Sequence, residues 1–586
     1  MIFPIPVKET YLEGSYTLTK SYPTSDLYTF YTSVDASADF IFESAPLLAE
    51  EEYEIIINEN GITVKSSCET GKFRALTSIY QMVSRGNELQ YCEIADKPQF
   101  PRRSYMLDIS RSKIPSVETI LGYIDILAAL KYNEFQLYME SFCFKYSKYP
   151  KVTADFDCLT PEDINLIEKY CADRFIDLVP NQNSFGHMAA WLRQDEFKHL
   201  GLGDGTNISG SLNPLLPESV EFVDGLYESL LPHFSSEYVN VGFDEAYELG
   251  KYQTEEPCKK YGKDTVFMDY LNKIADLARD KYGKKIQFWD DMIVNYPSSY
   301  NRIPEGAVAL EWGYELIQSQ IMAERCINFK KNGIKFYVCP SVNTHLSFTG
   351  RFDVTSFNLR TAGEVGRDHG AMGYMVTDWG NTYNPHFPYA SYVPAALAAQ
   401  YAWNVGGFQN GENFKVDMIY AAEAYSDEFI FGAKLSKLLY RLANYYLLEP
   451  ERVHCGTMCG HGFYRPVEDM KTFFSDLDKC GDVFYFNNVD RYVREIMEDI
   501  KKVDMDETIK REILCNSEMV LFANMLNAVR VRKELTREEY EAAKSLAASI
   551  ESEFIPLWDM KNYPIGKERF LGALHMRTEE LAAFVK

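Results

Sequence analysis

Long apolar runs, paired cysteines, an excess of base and low-complexity segments are all missing from this 586-residue chain, and each absence excludes a class of protein. No window approaches the roughly 18 consecutive apolar residues of a membrane-spanning helix, so no membrane partner is expected. Twelve cysteines are scattered from Cys68 to Cys515 without a CxxC pair, the pattern of reduced, mostly buried thiols rather than of a disulfide framework. Lys and Arg number 60 against 85 Asp and Glu. The resulting formal charge of -25 opposes contact with phosphate backbones or anionic lipid, so nucleic acid is not an expected partner. The N-terminus, MIFPIPVKETYLEGSYTL, lacks a basic run followed by a sustained apolar stretch and does not read as a secretory signal. Together with the thiols it predicts a cytoplasmic protein.

What is present divides into three zones. In residues 1–95, EEYEIIINENGITVKSS reads as two strands around Glu59-Asn60-Gly61, and CETGKFRALTSIYQMVSRG as a helix with Phe73, Leu76, Ile79, Tyr80 and Val83 on one side. This predicts a small α+β domain, with ADKPQFPRRS, carrying Pro98 and Pro101, as the linker that follows. Residues 96–405 alternate short apolar strands with amphipathic helices. The predicted strands are Tyr105–Ile109, Glu134–Met139, Ile176–Pro180, Glu237–Gly242, Ile286–Asp290, Ala307–Glu311, Lys335–Cys339 and Met372–Thr377. Among the helices, Val117–Lys131 shows one apolar face, and Pro161–Arg174 opens on Thr160 with Asp163 at the capping-box position. Eight such alternations predict an α/β fold, a (β/α)8 TIM barrel, with chemistry at the C-terminal ends of the strands. Residues 406–586 are helical in pattern, with predicted helices around Lys434–Leu448, Val467–Leu477, Arg491–Lys502, Thr508–Arg530, Arg537–Phe554 and Lys567–Phe584. Such an α-helical C-terminal domain could pack on the barrel, shape the outer substrate subsites or form a homodimer.

The predicted strand ends carry the reactive residues: Asp108 and Arg111, Glu140, His187, Asp244 and Glu245, Asp290 and Asp291, Glu311 and Trp312, and Asp378, Trp379 and Asn381. Asp244-Glu245 closes the run Glu237-Tyr-Val-Asn-Val-Gly-Phe-Asp-Glu245. Neighbours on a regular strand face opposite ways, so both acids meet one ligand only if the chain turns, and Gly242 makes a turn cheap. Taken alone, the pair is equally an acidic loop. Five of the six tryptophans fall in the barrel zone, and Trp289, Trp312 and Trp379 sit at strand ends, where indole stacks on sugar C–H faces while acids and amides take the hydroxyls. Trp403, inside a predicted helix, reads as barrel core. His454, Cys455, Cys459 and His461 crowd HCGTMCGH without the spacing of a zinc site, so they read as loop and no metal is expected.

Over residues from about 50 to 405 the motifs, in order, resemble glycoside hydrolase family 20, the β-N-acetylhexosaminidases. EYEIIINENGITVKSSCETGKFRALTSIYQM resembles the family's small domain. SYMLDISRSKIPSVETILGYIDILAALKYNEFQLY resembles its first strand, helix and second strand, with Arg111 at the sugar-binding arginine. LTPEDINLIEKYCADRFIDLVPNQNSFGHMAAWL places His187 at the family histidine, NVGFDE matches the acid pair and TDWG the last-strand tryptophan. The resemblance implies substrate-assisted hydrolysis with retention, needing no cofactor: the substrate's 2-acetamido oxygen is the nucleophile, Glu245 the acid and then the base, and Asp244 the group that orients the acetamide. A general acid must be protonated, which burial and a neighbouring charge favour, so Glu245 is expected to have a raised pKa beside an ionised Asp244.

Departures from the family pattern accompany the likeness. Asn240 and Phe243 replace a His and a Gly before the pair, Asn183 and Phe185 replace an acid and a Pro before His187, and Asn381 replaces an acid. CPSVNTHLSF stands where the family shows an acetamide-binding Tyr. Glu140 is the candidate partner of His187, and Asn343, His345 or Tyr383 are candidates for the missing Tyr. The implied function is removal of terminal β-linked GlcNAc or GalNAc. The rivals are a family 84-like acetamido-sugar hydrolase, against which Glu245 speaks because that family uses an Asp-Asp pair, and a non-catalytic carbohydrate-binding protein.

Overall fold

The computed structural model describes residues 1–586 apart from 36, 205–209, 382, 410–413 and 467–483; the predicted helix Val467–Leu477 lies outside the described residues. Strands β1 (Lys8–Thr17), β2 (Phe40–Ser44), β3 (Tyr53–Asn58), β4 (Gly61–Ser66) and β5 (Glu88–Asp96) form one sheet in the order β1-β5-β3-β4-β2. The β3–β4 hairpin turns where expected, with Asn58 opposite Gly61. Gly61 has φ +120°, and a Cβ there would stand 2.9 Å from the Asp39 carbonyl oxygen. The helix Glu69–Val83 buries Phe73, Leu76 and Ile79.

The barrel follows: β6 (Arg102–Asp108), β7 (Glu134–Met139), β8 (Asp177–Gln182), β9 (Tyr238–Asn240), β10 (Lys285–Trp289), β11 (Val308–Trp312), β12 (Lys335–Cys339) and β13 (Gly373–Asp378) close into a ring of eight strands. All pairings described in it are parallel. The helix Pro161–Ala172 starts with the Thr160–Asp163 capping box read from the sequence. Between strands the barrel carries a buried polar layer in which the Gln136 carbonyl oxygen accepts from Asn181 (3.0 Å) and Asn240 (3.1 Å), while its amide donates to Gln287 (2.7 Å). Asn240, at the family's histidine position, therefore serves the barrel interior, where a buried amide must be paired. Above it Met106, Tyr138, Val308, Leu310 and Met375 pack beneath Trp289 and Trp379.

The proposed linker is not a loose segment. Asp96 and Arg103 are buried, Arg103 Nη2 lies 2.6 Å from the Glu51 carboxylate, and the barrel strand already begins at Arg102. Trp403 also departs from expectation. Its indole belongs to the apolar core of the small domain, its Nε1 donates to Asp96 at 3.0 Å, and Lys131 Nζ sits 4.4 Å from its ring. Trp403 is thus a clamp between barrel and small domain rather than barrel core.

The C-terminal region contains the helices Ser436–Ala443, Phe484–Lys501, Glu507–Arg532, Arg537–Lys561 and Lys567–Ala582. It is joined to the barrel by backbone. Ser116 donates to the Lys561 carbonyl oxygen (2.8 Å), Tyr563 donates to that of Ile114 (2.8 Å), and Pro115 bridges Asn562. Gly566, at φ +91°, approaches so closely that a Cβ there would lie 1.7 Å from the Ser112 carbonyl oxygen. The eleven cysteines among the described residues are free thiols, and no helix among those residues is long and apolar enough to cross a membrane.

Candidate active site

Backbone strain gathers at one end of the barrel. Ser112, His187, Phe243, Glu245, Asn343, Leu346 and Asn384 all have positive φ, and all lie in loops leaving the C-terminal ends of strands. Such conformations cost about 1–3 kcal/mol each and persist where surrounding structure enforces them, commonly at functional sites. The turn after β9 is the clearest case. Gly242 (φ +73°) has no room for a side chain, since a Cβ would meet Asn183 Oδ1 at 1.9 Å. Phe243 (φ +80°) swings outward to pack on Phe185 (ring centroids 5.3 Å apart), Phe267 (5.7 Å) and Tyr270 (5.6 Å). With Phe243 anchored outside, Asp244 and Glu245 turn toward the barrel mouth. Phe185 and Phe243, two departures from the family pattern, are one packing unit.

His187 stands between the carboxylates. Its Nε2 is 3.2 Å from Asp244 Oδ2 and 3.4 Å from Glu245 Oε2, and its Nδ1 is 3.7 Å from Glu140 Oε2. Burial alone would lower its pKa, but the Asp244 carboxylate, with Glu245 beside it, outweighs burial and pushes it up to about 10. Glu140 lies 3.2 Å from Arg111 Nη2 and accepts the Tyr138 hydroxyl at 2.8 Å. Burial opposes its ionisation, yet Arg111 and His187 hold it below the ordinary carboxylate range. Asn183, where the family has an acid, donates to the Tyr138 hydroxyl at 2.7 Å instead.

The structure corrects the expected protonation of Glu245. Its pKa is lowered, chiefly by the His187 ring 3.4 Å away and further by Tyr247, whose hydroxyl donates to Oε1 at 2.7 Å. Burial, the effect that would raise it, is the weaker influence because the side chain remains a third exposed. Raised at His187 and lowered at Glu245, the two pKa values favour an imidazolium facing the Asp244 and Glu245 carboxylates. Asp291 is shifted the other way: its Oδ2 accepts the Glu245 backbone N–H at 3.0 Å, and burial and the Asp244 charge push its pKa up to about 8.

Three tryptophans complete the mouth. Trp379 meets Tyr138 edge-on at 4.7 Å, lies 5.8 Å from Trp289 and carries the Arg111 guanidinium 4.8 Å from its ring centroid. Its Nε1 donates to the Tyr314 hydroxyl at 2.7 Å, and Tyr314 lies 5.3 Å from Trp312. These residues line a cleft of about 690 Å³, which also takes in Arg111, Asp244, Glu245, His345 and Asn381. Asp244 Oδ1, Trp289 Nε1 and Trp312 Nε1 are buried without a protein hydrogen-bond partner among the described residues. Polar atoms left unpaired by the fold in an aromatic-walled cleft are what a hydroxylated ligand satisfies.

Of the residues named from sequence, Arg111, Asp244, Glu245, Trp289, Trp312, Trp379 and Asn381 line this cleft, while His187 and Glu140 line an adjoining one. Tyr383 lines neither; its ring stacks on Tyr464 at 5.1 Å. Asn343 is buried, bonded to Ser341 and Arg351, and is likewise outside both, whereas His345 lines the first. Sequence reasoning missed Tyr314 and Tyr247, and named Asp291 only as a strand-end acid. The first stands two residues beyond Trp312, and its signal was there to use. The metal reading of HCGTMCGH changes partners: Glu315, His454 and Cys455 bring ligand atoms within 4.8 Å of one another, but Arg351 already pairs with Glu315 at 2.7 Å, and Cys459 and His461 lie in the helix Met458–Tyr464.

Carboxylates set among tryptophans at the C-terminal mouth of a closed barrel have the chemistry of a carbohydrate site, with indole for C–H faces and acids for hydroxyls. Comparison with known proteins narrows that class: the chain belongs to glycosyl hydrolase family 20, whose catalytic-domain model matches residues 100–389 and whose domain 2 matches residues 18–97. It is similar to a β-hexosaminidase of Porphyromonas gingivalis, 26% identical over 294 residues that cover 43% of this chain and 37% of that protein. The chain spans half or less of the length of the first curated relatives it matches. Among solved structures, a β-N-acetylhexosaminidase of Bacteroides fragilis shares the fold at 20% identity and TM-score 0.59, covering 73% of this chain and 95% of that one. A Flavobacterium johnsoniae chitobiase does so at 15% identity and TM-score 0.59, covering 95% and 99%.

Proposed function

We propose that this chain is a retaining, exo-acting β-N-acetylhexosaminidase that removes terminal β-linked GlcNAc or GalNAc by substrate-assisted catalysis. The observation that carries the reading is Asp244, its Oδ1 buried and unpaired beside Trp289 and Trp312, in the same cleft as Glu245. In this reading the sugar ring lies against the tryptophans and Asp244 accepts the acetamide N–H. The acetamide oxygen attacks the anomeric carbon as the glycosidic bond breaks, and the leaving oxygen takes the proton of the His187–Glu245 pair through Glu245. The oxazolinium ion so formed is met by the Asp244 carboxylate. Water, deprotonated by Glu245, then opens it with net retention.

Arg111, Asn381 and the cleft indoles take the hydroxyls, and Tyr314 with His345, rather than Tyr383, faces the acetamide oxygen. His345 is suited to donate as a neutral ring, since burial and the Arg351 charge push its pKa down to about 3. A cytoplasmic location remains part of the proposal, resting on the pattern of free, mostly buried thiols.

Hydrolysis of paired aryl β-GlcNAc and β-GalNAc substrates tests it, with Glu245→Gln and a thiazoline analogue of the oxazolinium ion as competitor. Glu245→Gln should cost about 10²–10⁴ in kcat on natural leaving groups, the range for loss of a general acid. Folded wild-type protein that turns over neither substrate would make this a carbohydrate-binding protein.

A further inference from the structure

A second cleft, about 730 Å³, adjoins the tryptophan cleft, and the two share Arg111, Glu245 and Tyr247. Asp244 and the three tryptophans belong only to the first, and His187 and Glu140 only to the second. If Glu245 delivers a proton to the glycosidic oxygen, the scissile bond lies at this seam, with the sugar on the tryptophan side and the leaving group in the second cleft. That assignment rests on the proposed function. Tyr247, 61% exposed at the seam, offers its ring to a departing sugar while its hydroxyl stays on Glu245.

The second cleft is built by the C-terminal region as much as by the barrel. Ile565, Gly566 and Arg569 form one wall. Gly566 presses on the Ser112 carbonyl oxygen, and Arg569 Nη1 donates to Ser112 Oγ at 3.0 Å, one residue from Arg111. Arg193, just beyond the short helix Ala189–Leu192, lines the same cleft.

The charges here run against those of the whole molecule, which carries -25. Glu140 is neutralised by Arg111, and Glu245 by His187. Lys113 Nζ is buried on the His386 carbonyl oxygen (2.8 Å), and Glu248 accepts the Ser211 hydroxyl (2.5 Å). Arg193 and Arg569 are exposed, and among the described residues neither is ion-paired with a carboxylate. Planar guanidinium groups left unpaired in a ligand cleft suit two-point binding of a carboxylate or sulfate.

We propose that the second cleft is the leaving-group subsite and that Arg193 and Arg569 make it select an aglycone bearing a carboxylate or sulfate. The enzyme so described trims an amino sugar from an acidic glycan.

The test compares β-GlcNAc linked to glucuronate with β-GlcNAc linked to glucose, and β-GlcNAc linked to galactose 6-sulfate with β-GlcNAc linked to galactose. The charged-to-neutral ratio of kcat/KM should be about tenfold in at least one pair, which says whether the anion is carboxylate or sulfate, and should reside in KM. It should collapse toward unity in Arg193→Gln/Arg569→Gln and at about 0.5 M salt, with Arg569→Lys retaining part of it. A ratio at or below unity in the wild type, or one unmoved in the double variant, overturns the proposal. Calorimetry of Glu245→Gln protein with both disaccharide pairs reads the same selectivity without turnover. Absence of hydrolysis would defeat the catalytic reading alone, whereas equal affinity for charged and neutral disaccharides would defeat the subsite.

Discussion

At the scale of single residues, the site turns on where two protons sit. The imidazolium of His187, 3.4 Å from Glu245, carries one, and Tyr247 helps keep Glu245 ionised. Tyr247→Phe removes a hydrogen bond to the charged form, so the Glu245 pKa must rise, which an NMR titration of the Glu245 side-chain carboxyl reads directly. One hydrogen bond of about 1 kcal/mol corresponds to roughly 0.7 of a pH unit. A carboxyl that titrates unchanged in the variant would show that the Tyr247 hydroxyl does not hold Glu245 ionised.

Asp291 makes an opposite prediction for stability. A carboxylate of ordinary pKa about 3.9 when unfolded and about 8 when folded binds more protons in the native state between those values, so it destabilises the fold as pH rises from about 4 to 8. Asp291→Asn keeps an acceptor for the Glu245 N–H and should raise Tm at pH 8 relative to wild type more than at pH 5. His187 works the other way: its contribution is complete below about 6.5 and disappears as pH rises through about 10.

The residues found by reading the sequence were those tied to a strand end by an apolar run, such as Asp244, Glu140 and Trp312. Tyr247 and Asp291 were illegible in their roles because those depend on a left-handed turn at Phe243 and Glu245, which no local propensity announces.

At the scale of elements, the loop leaving β6 decides how Arg111 is presented. It is held from outside, by Tyr563 and Gly566 of the helical region and by the Pro115–Asn562 bridge. Gly566→Ala faces both a φ of +91° and a backbone clash with Ser112, so it should cost about 1–3 kcal/mol and raise KM through displacement of Arg111. Denaturant unfolding and steady-state kinetics on the same variant check both. An unchanged KM would mean that the loop holds Arg111 without the helical wall. All eight barrel strands were legible, since each is a short apolar run closed by polar residues. The segment after β5 was misread because Pro98 and Pro101 signal a linker, whereas the Arg103–Glu51 and Asp96–Trp403 contacts that bury it join residues far apart in sequence.

At the scale of the whole molecule, the barrel and the helical region are one packing unit. A single apolar core runs from Phe135 and Leu137 in the barrel through Phe387 to Phe522, Phe554 and Phe570 in the helices. Cores that continue across a boundary unfold together. Calorimetry should therefore show barrel and helical region melting in one transition, and a separate lower transition lost on deletion of the C-terminal helices would contradict this. The helical character of residues beyond 405 was plain in their apolar stripes, but their face toward the barrel was not, because periodicity shows that a helix is buried on one side without naming what covers it.

The central claim, that the substrate's own acetamide oxygen is the nucleophile that Asp244 orients, is tested most directly by aryl β-glucosaminides whose N-acetyl group carries zero, one, two or three fluorines. Fluorine drains electron density from that oxygen and leaves the leaving group untouched. The account predicts a steep, progressive fall in kcat/KM along the series, so that the trifluoroacetyl substrate is nearly inert. A flat series, with turnover intact, would mean that a protein carboxylate or water attacks instead.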